Sequence, residues 1–147
     1  MRIYLDACCV NRLTDDQSQT RIRQEAEAVE HILRLVRQGY ATWVSSAVLE
    51  VELSRNPDLD RRHDVKELLV FANEVVEPGA EVVARAKVLE SLGYGVFDAF
   101  HLACAESAKV GVFLTADDDL LRRSKRSPSA VGVRVANPLS WWAETRP

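Results

Sequence analysis

Ile3-Tyr4-Leu5 is a charge-poor β run that empties directly into a carboxylate, Asp6, and the pattern recurs where Val112-Phe113-Leu114-Thr115 leads to Asp117-Asp118-Asp119. Runs this apolar suit strands covered on both faces, as in parallel sheets flanked by helices. In open sheets of that kind, ligands bind just beyond the carboxyl ends of the strands, near the point where strand order reverses. Two acids are thus candidates for one site, provided the intervening chain supplies the sheet.

It does. After a polar loop predicted over Ala7–Gln19, Ile22, Ala26, Val29, Leu33 and Val36 recur at steps of four and three, the stripe of an amphipathic helix that Gly39 can end. Ala41-Thr42-Trp43-Val44 reads as a second strand, with Ser45 or Ser46 capping a helix to about Arg55. Asn56-Pro57 breaks the chain. Helices are predicted over Leu59–Asn73 and Ala80–Leu92, with a brief strand at Val75-Val76 between them. A strongly apolar helix follows Gly95, and a last strand is expected at Val131–Val135. Alternating strands and helices with short connections predict an α/β fold: a single-domain three-layer sandwich over residues 1–147, its central sheet mostly parallel with helices on both faces.

Composition narrows the class. The chain has 147 residues, 47% hydrophobic and 28% charged, with no apolar run long enough to cross a membrane. The N-terminus becomes charged too soon for a signal peptide, so a cytoplasmic protein is expected. Cys8, Cys9 and Cys104 form neither a disulfide framework nor a zinc-ligand spacing and read as buried free thiols. A net charge of -3 argues against a dedicated nonspecific nucleic-acid binder but leaves room for a local basic patch.

Helical angle singles out two further acids. At about 100° per residue, Glu52 falls between Val48 and Leu49 in an apolar arc completed by Val51 and Leu53, whereas Glu50 falls outside it. A carboxylate inside such an arc is expensive without a partner. Asp98 lies between Leu102 and Ala105 on the apolar side of its own helix. Each acid has an innocent reading: Asp98 as a helix cap, Asp117–Asp119 as a turn, Asp6 as a loop starter. Glu52, in mid-helix, has none. A parallel sheet would bring all four to one edge, where two carboxylates about 4 Å apart repel by roughly 4 kcal/mol at an effective dielectric near 20. Four would consume much of a domain's stability of about 5–15 kcal/mol. Protonation or a bound cation would relieve that, and oxygen ligands select Mg²⁺ or Mn²⁺. Such a centre suits phosphoryl chemistry with water as nucleophile. His101, one turn beyond Asp98, reads as a packed core histidine or as a partner to the ligands.

Four blocks, Ile3-Tyr4-Leu5-Asp6, Ser46 with Glu52-Leu53, Asp98-Ala99-Phe100-His101-Leu102-Ala103 and Leu114-Thr115-Ala116-Asp117-Asp118-Asp119-Leu120, together resemble the PIN domain in its VapC-like group of toxin ribonucleases. The resemblance implies a metal-dependent endoribonuclease in which Asp6, Glu52, Asp98 and Asp117 gather Mg²⁺ or Mn²⁺ and orient water on an RNA phosphate. Asp119 matches a recurrent family acid. It also implies a homodimer and an antitoxin that blocks the site. Many members carry a small hydroxyl residue directly after the first Asp. Here that position is Ala7, which leaves either Asn11 to take part of its role or no residue at all, with Thr115 and His101 as further supports of the ligands.

RNA also needs cations for its phosphates. Arg122, Arg123, Lys125 and Arg126 follow the Asp117 loop and read either as phosphate contacts or as a plain solvated charge run, and Arg12, close behind Asp6, is a second candidate. Trp141 and Trp142 are expected to dock on the core or on a dimer mate. The rival readings are a PIN-like RNA- or protein-binding module without cleavage and a phosphoacceptor receiver domain. The receiver would need an acid pair after the first strand, where Asp6 stands alone.

Overall fold

A computed structural model describes residues 1–145. Five strands form one sheet in the order β3-β2-β1-β4-β5, and every neighbouring pair is parallel: β1 (Arg2–Leu5), β2 (Thr42–Ser46), β3 (Glu74–Val76), β4 (Val112–Leu114) and β5 (Val135–Ala136). The expected parallel sheet is therefore present without an antiparallel strand among the described residues. The helices are α1 (Ala7–Asn11), α2 (Thr20–Arg37), α3 (Ala47–Ser54), α4 (Leu59–Leu69), α5 (Ala80–Ser91), α6 (Val96–Ser107), α7 (Asp118–Arg126) and α8 (Pro138–Thr145).

Side-chain alternation along the strands divides the core. Ile3, Leu5, Trp43, Val112 and Leu114 face one layer, where they meet Val29, Ile32 and Leu33 of α2, Leu49 and Leu53 of α3, and Trp141 of α8. Tyr4, Val44 and Phe113 face the other, against α5 and α6 through Ala86, Leu89, Leu102 and Ala103. The register makes these faces continuous, since Ile3 pairs with Trp43 and Val112 while Tyr4 pairs with Val44 and Phe113. Tyr4 and Phe113 stack with ring centroids 5.3 Å apart. Among the described residues, no helix is long and apolar enough to cross a membrane.

The chain runs from β1 outward through β2 to β3, then returns to the other side of β1 for β4 and β5. Strand order thus reverses between β1 and β4, and the crevice at their carboxyl ends is the natural ligand position.

Several predicted boundaries move, each for a physical reason. The expected loop after Asp6 begins with the helix α1, which buries Ala7, Cys9 and Val10 but is too short to show a stripe. β2 runs on to Ser46 because Ser45 and Ser46 pair with Val75 and Val76. α4 stops at Leu69, short of Asn73, whose backbone N–H donates to the Trp43 carbonyl while its side-chain oxygen accepts from the Trp43 N–H, drawing the chain into the sheet. The last strand falls at Val135–Ala136, later than expected, where the Arg134 and Ala136 carbonyls accept from Phe113 and Thr115. α3 packs through Leu49 and Leu53, so its buried arc is narrower than the sequence suggests: Glu52 flanks it, and Val51, on the opposite side, is half exposed.

Candidate metal centre

Asp6 closes β1 and caps α1, so the strand end fixes its backbone and helix formation fixes its side chain. Its carboxylate is 4% exposed. Oδ1 accepts from the Ala7 N–H at 2.8 Å, and Oδ2 accepts from the Thr115 hydroxyl at 2.8 Å. Thr115 is fully buried beyond β4, and its Oγ1 also accepts from the Asp117 N–H at 3.1 Å. One hydroxyl from the neighbouring strand therefore ties Asp6 to the backbone of the next acid. The Cys8 thiol completes the contact, 3.5 Å from Asp6 Oδ2 and 3.3 Å from Thr115 Oγ1, and accepts from the Ala116 N–H.

Ser46 ends β2 and caps α3, its Oγ accepting from the Leu49 N–H at 3.0 Å. That cap launches α3 so that Glu52 faces the β1 end. A buried chain of hydrogen bonds then runs across the sheet: Ser46 Oγ lies 2.7 Å from the Tyr4 hydroxyl, the hydroxyl 2.7 Å from His101 Nδ1, and His101 Nε2 2.8 Å from Glu52 Oε1. His101 is fully buried, and its Nε2 is also 3.9 Å from Asp6 Oδ1. His101 is thus a packed core histidine that also bonds Glu52. Asp6, Glu52 and His101 each bring a ligand atom within 4.8 Å of the others, a group able to hold a metal ion.

Asp98 is the third residue of α6, whose cap is Gly95, so Asp98 is free of capping. Among the described residues no hydrogen bond is donated to its carboxylate. Its pKa is pushed up to about 6, first by burial and then by the negative charges of Asp6 and Asp117, with His101 opposing. Asp117, by contrast, is engaged as the α7 cap, its Oδ1 accepting from the Asp119 and Leu120 N–H groups. Burial also raises the Asp6 carboxyl, against the stabilising pull of His101 and Thr115. For His101 burial disfavours the cation, but the Glu52 hydrogen bond and the Asp6 and Asp98 charges outweigh it and raise the imidazole pKa.

Such a set of carboxylate oxygens beside one imidazole suits a hard divalent cation. Asp6, Glu52 and His101 form that group, while Asp98 and Asp117 lie outside it, with the Asp6 and Asp117 charges adding to burial in raising the Asp98 carboxyl. Asp119 is not brought into the group: its carboxylate is 86% exposed and pairs with Arg122. Asn11 ends α1, its side-chain oxygen buried and without a hydrogen-bond partner among the described residues. Arg12 is held between Asp15 and Glu25. Arg123 lies over the Tyr94 ring at 5.7 Å, while Lys125 and Arg126 are exposed on α7. Trp141 is buried in the core and Trp142 stacks on His31.

Sequence patterns missed Tyr4, which is indistinguishable from its hydrophobic neighbours in β1. They also missed Glu25, 1% exposed and bound by Arg12, Arg21 and Asn137. Its helical angle places it beside Val36 on the apolar stripe, the same signal that marked Glu52.

Acids gathered at the strand ends of a five-stranded parallel sheet define an α/β fold with a candidate metal centre, and comparison with known proteins gives the family. The family model for the PIN domain matches residues 3–126. The chain belongs to the PIN domain family. No curated protein matches it. Solved structures share the fold at low identity. VapBC2 from Rickettsia felis, bound to a DNA fragment from its promoter, is 12% identical with a TM-score of 0.62, over 93% of this chain and 98% of that one. VapBC-1 from nontypeable Haemophilus influenzae is 16% identical with a TM-score of 0.62, over 94% and 98%. VapC20 from Mycobacterium tuberculosis, a sarcin-ricin loop cleaving toxin, is 14% identical with a TM-score of 0.60, over 82% and 93%.

Proposed function

We propose that the chain is an endoribonuclease dependent on Mg²⁺ or Mn²⁺, the toxin of a toxin–antitoxin pair, hydrolysing RNA phosphodiesters with water as nucleophile. The observation that carries this reading is the convergence of Asp6, Glu52 and His101 within 4.8 Å at the carboxyl end of β1, beside an Asp98 whose pKa is raised by burial and then by the charges of Asp6 and Asp117. Membership of the PIN family and the fold shared with VapC20 support it.

On this reading Asp6, Glu52, Asp98 and Asp117 are the ligand acids. A bound divalent ion supplies an acidified water and counter-charge for the phosphate. The protein's part is positioning. Thr115 and the Ala7 N–H hold both oxygens of Asp6, so its lone pairs face one direction. His101, braced by Tyr4, sets the rotamer of Glu52. Asp117 keeps one oxygen for the α7 backbone, which leaves the other for the ion or its water. The same reading makes the protein a cytoplasmic homodimer, and neighbours solved as VapBC complexes support an antitoxin partner.

Purified protein, freed of any partner, is incubated with a panel of RNAs in Mn²⁺ or in EDTA, beside Asp6→Asn. Products that need Mn²⁺ and vanish in Asp6→Asn, with its circular dichroism unchanged, are expected. Equal cleavage by Asp6→Asn, or cleavage in EDTA, overturns the assignment. RNA binding without any metal-dependent product points instead to a non-cleaving PIN-like module.

A further inference from the structure

The acids at the sheet edge repel the phosphates they are proposed to attack, so a substrate needs cations at their border. Most arginines nearby are already committed. Arg12 and Arg21 are bound to Glu25, Arg61 to Asp15, and Arg122 to Asp119. Arg55 differs. It is exposed, pairs with no carboxylate among the described residues, and holds its guanidinium over the Phe97 ring at 4.9 Å.

Its placement follows from the two helices that carry the site. Arg55 is the C-cap of α3, three residues after Glu52 and so about one turn further along the same side. Phe97 directly precedes Asp98 on α6 and stacks on His101, the residue that holds Glu52, with centroids 6.3 Å apart. The Arg55–Phe97 pair therefore spans the gap between α3 and α6 at the rim of the acids. A cation over an aromatic face is attracted by the ring quadrupole and fixed in position, yet keeps its N–H fork free. Guanidinium planes and aromatic rings are also the groups on which unpaired bases stack, and a fork suits phosphate oxygens.

We propose that Arg55, positioned by Phe97, is a substrate-binding subsite that takes a phosphate of single-stranded RNA adjacent to the one cleaved. The proposal deepens the nuclease reading and rests on it for the identity of the substrate.

The test measures binding of a fluorescent single-stranded RNA oligonucleotide by anisotropy in the Asp6→Asn protein, with and without Arg55→Ala, Arg55→Lys or Phe97→Leu, across a salt series. Cleavage kinetics are measured for the same substitutions in the otherwise unaltered protein. Arg55→Ala is expected to weaken binding about tenfold, as loss of one charge-assisted contact does. It should also lower the slope of log affinity against log salt by about 0.7, the mark of one single-strand phosphate. KM should rise with kcat within about threefold, since a contact made equally before and during the reaction changes binding alone. Arg55→Lys should recover part of the affinity, and Phe97→Leu should lose part of it with the slope retained.

Unchanged affinity and slope in Arg55→Ala overturn the subsite, even if cleavage is confirmed. Binding that depends on Arg55 in a protein that cuts no RNA keeps the subsite and overturns the nuclease reading. No RNA binding by the Asp6→Asn protein, or an Arg55→Ala defect confined to a protein partner, overturns the subsite as well.

Discussion

His101 reaches across from α6 to α3 and places Nε2 2.8 Å from Glu52 Oε1, the bond that turns a half-exposed helical glutamate into a fixed member of a site. Its other nitrogen is anchored 2.7 Å from the Tyr4 hydroxyl. Replacing His101 by Gln is expected to lower Mn²⁺ affinity about 10–100-fold, the usual effect of removing a group that orients a ligand. Calorimetric titration with Mn²⁺ checks it, and Tyr4→Phe should show a smaller loss in the same direction.

The raised pKa of Asp98 makes the metal-free fold sensitive to pH. Its folded value of about 6 lies above the ordinary 3.8, so the folded state binds the proton more tightly. Its contribution is therefore neutral below about pH 4, becomes destabilising as pH rises toward 6, and is constant above. Asp98→Asn removes that penalty. Allowing for solvent screening of a half-exposed group, the gain at pH 7.5 should be about 1–2 kcal/mol, vanishing at pH 4, in urea melts with EDTA present.

A divalent ion should reverse the comparison. Saturating Mn²⁺, at about 100 times its dissociation constant, is expected to stabilise the parent by about 2.7 kcal/mol. Asp98→Asn and Asp6→Asn should gain much less. Thermal melts of all three, with Mn²⁺ and with EDTA, read this directly.

Thr115 is the hinge pin between two acids, donating to Asp6 Oδ2 and accepting from the Asp117 N–H. Thr115→Val keeps the volume but strips both bonds in a fully buried place. A loss of about 1–3 kcal/mol is expected, while Thr115→Ser should lose less than half of that.

Glu25 ties α2 to Arg12, to Arg21 and to Asn137 just before α8, all within 3.4 Å. Glu25→Ala leaves three donors without their acceptor. Arg12 and Arg21 can still reach water, which puts the expected cost near 3 kcal/mol, at the low end for breaking a buried pair. Asn137→Ala on top of Glu25→Ala should add about 1 kcal/mol, for the Asn137 Oδ1 that accepts from the Leu139 N–H at the start of α8, and nothing for the shared bond already lost.

How much of this was legible in the residues differs from element to element. β1 and β4 announce themselves because central parallel strands are apolar on both faces, so each acid beyond them stands out. Glu52 and Asp98 are singled out by helical angle, and the family blocks make all four acids candidates, of which Asp6 and Glu52 meet in one group with His101. Three things escape. The Tyr4–His101–Glu52 chain joins residues far apart in sequence, and no local pattern marks a tyrosine whose ring is core and whose hydroxyl is functional. α1 is too short to be periodic. Asp117 shows that a bland role and a site role can coexist, since one oxygen caps α7 while the charge still acts on Asp98. Arg12, read as a phosphate contact, is occupied by Asp15 and Glu25, which only the fold brings to it.

The strand order has a consequence for timing. β1 finds one neighbour, β2, early in synthesis, but its other neighbour, β4, is among the last strands made. Until β4 leaves the ribosome, Asp6 lacks the Thr115 hydroxyl and Asp117 is absent. The acid cluster is therefore assembled only once β4 has emerged and closed against the first strand, late in the synthesis of the chain.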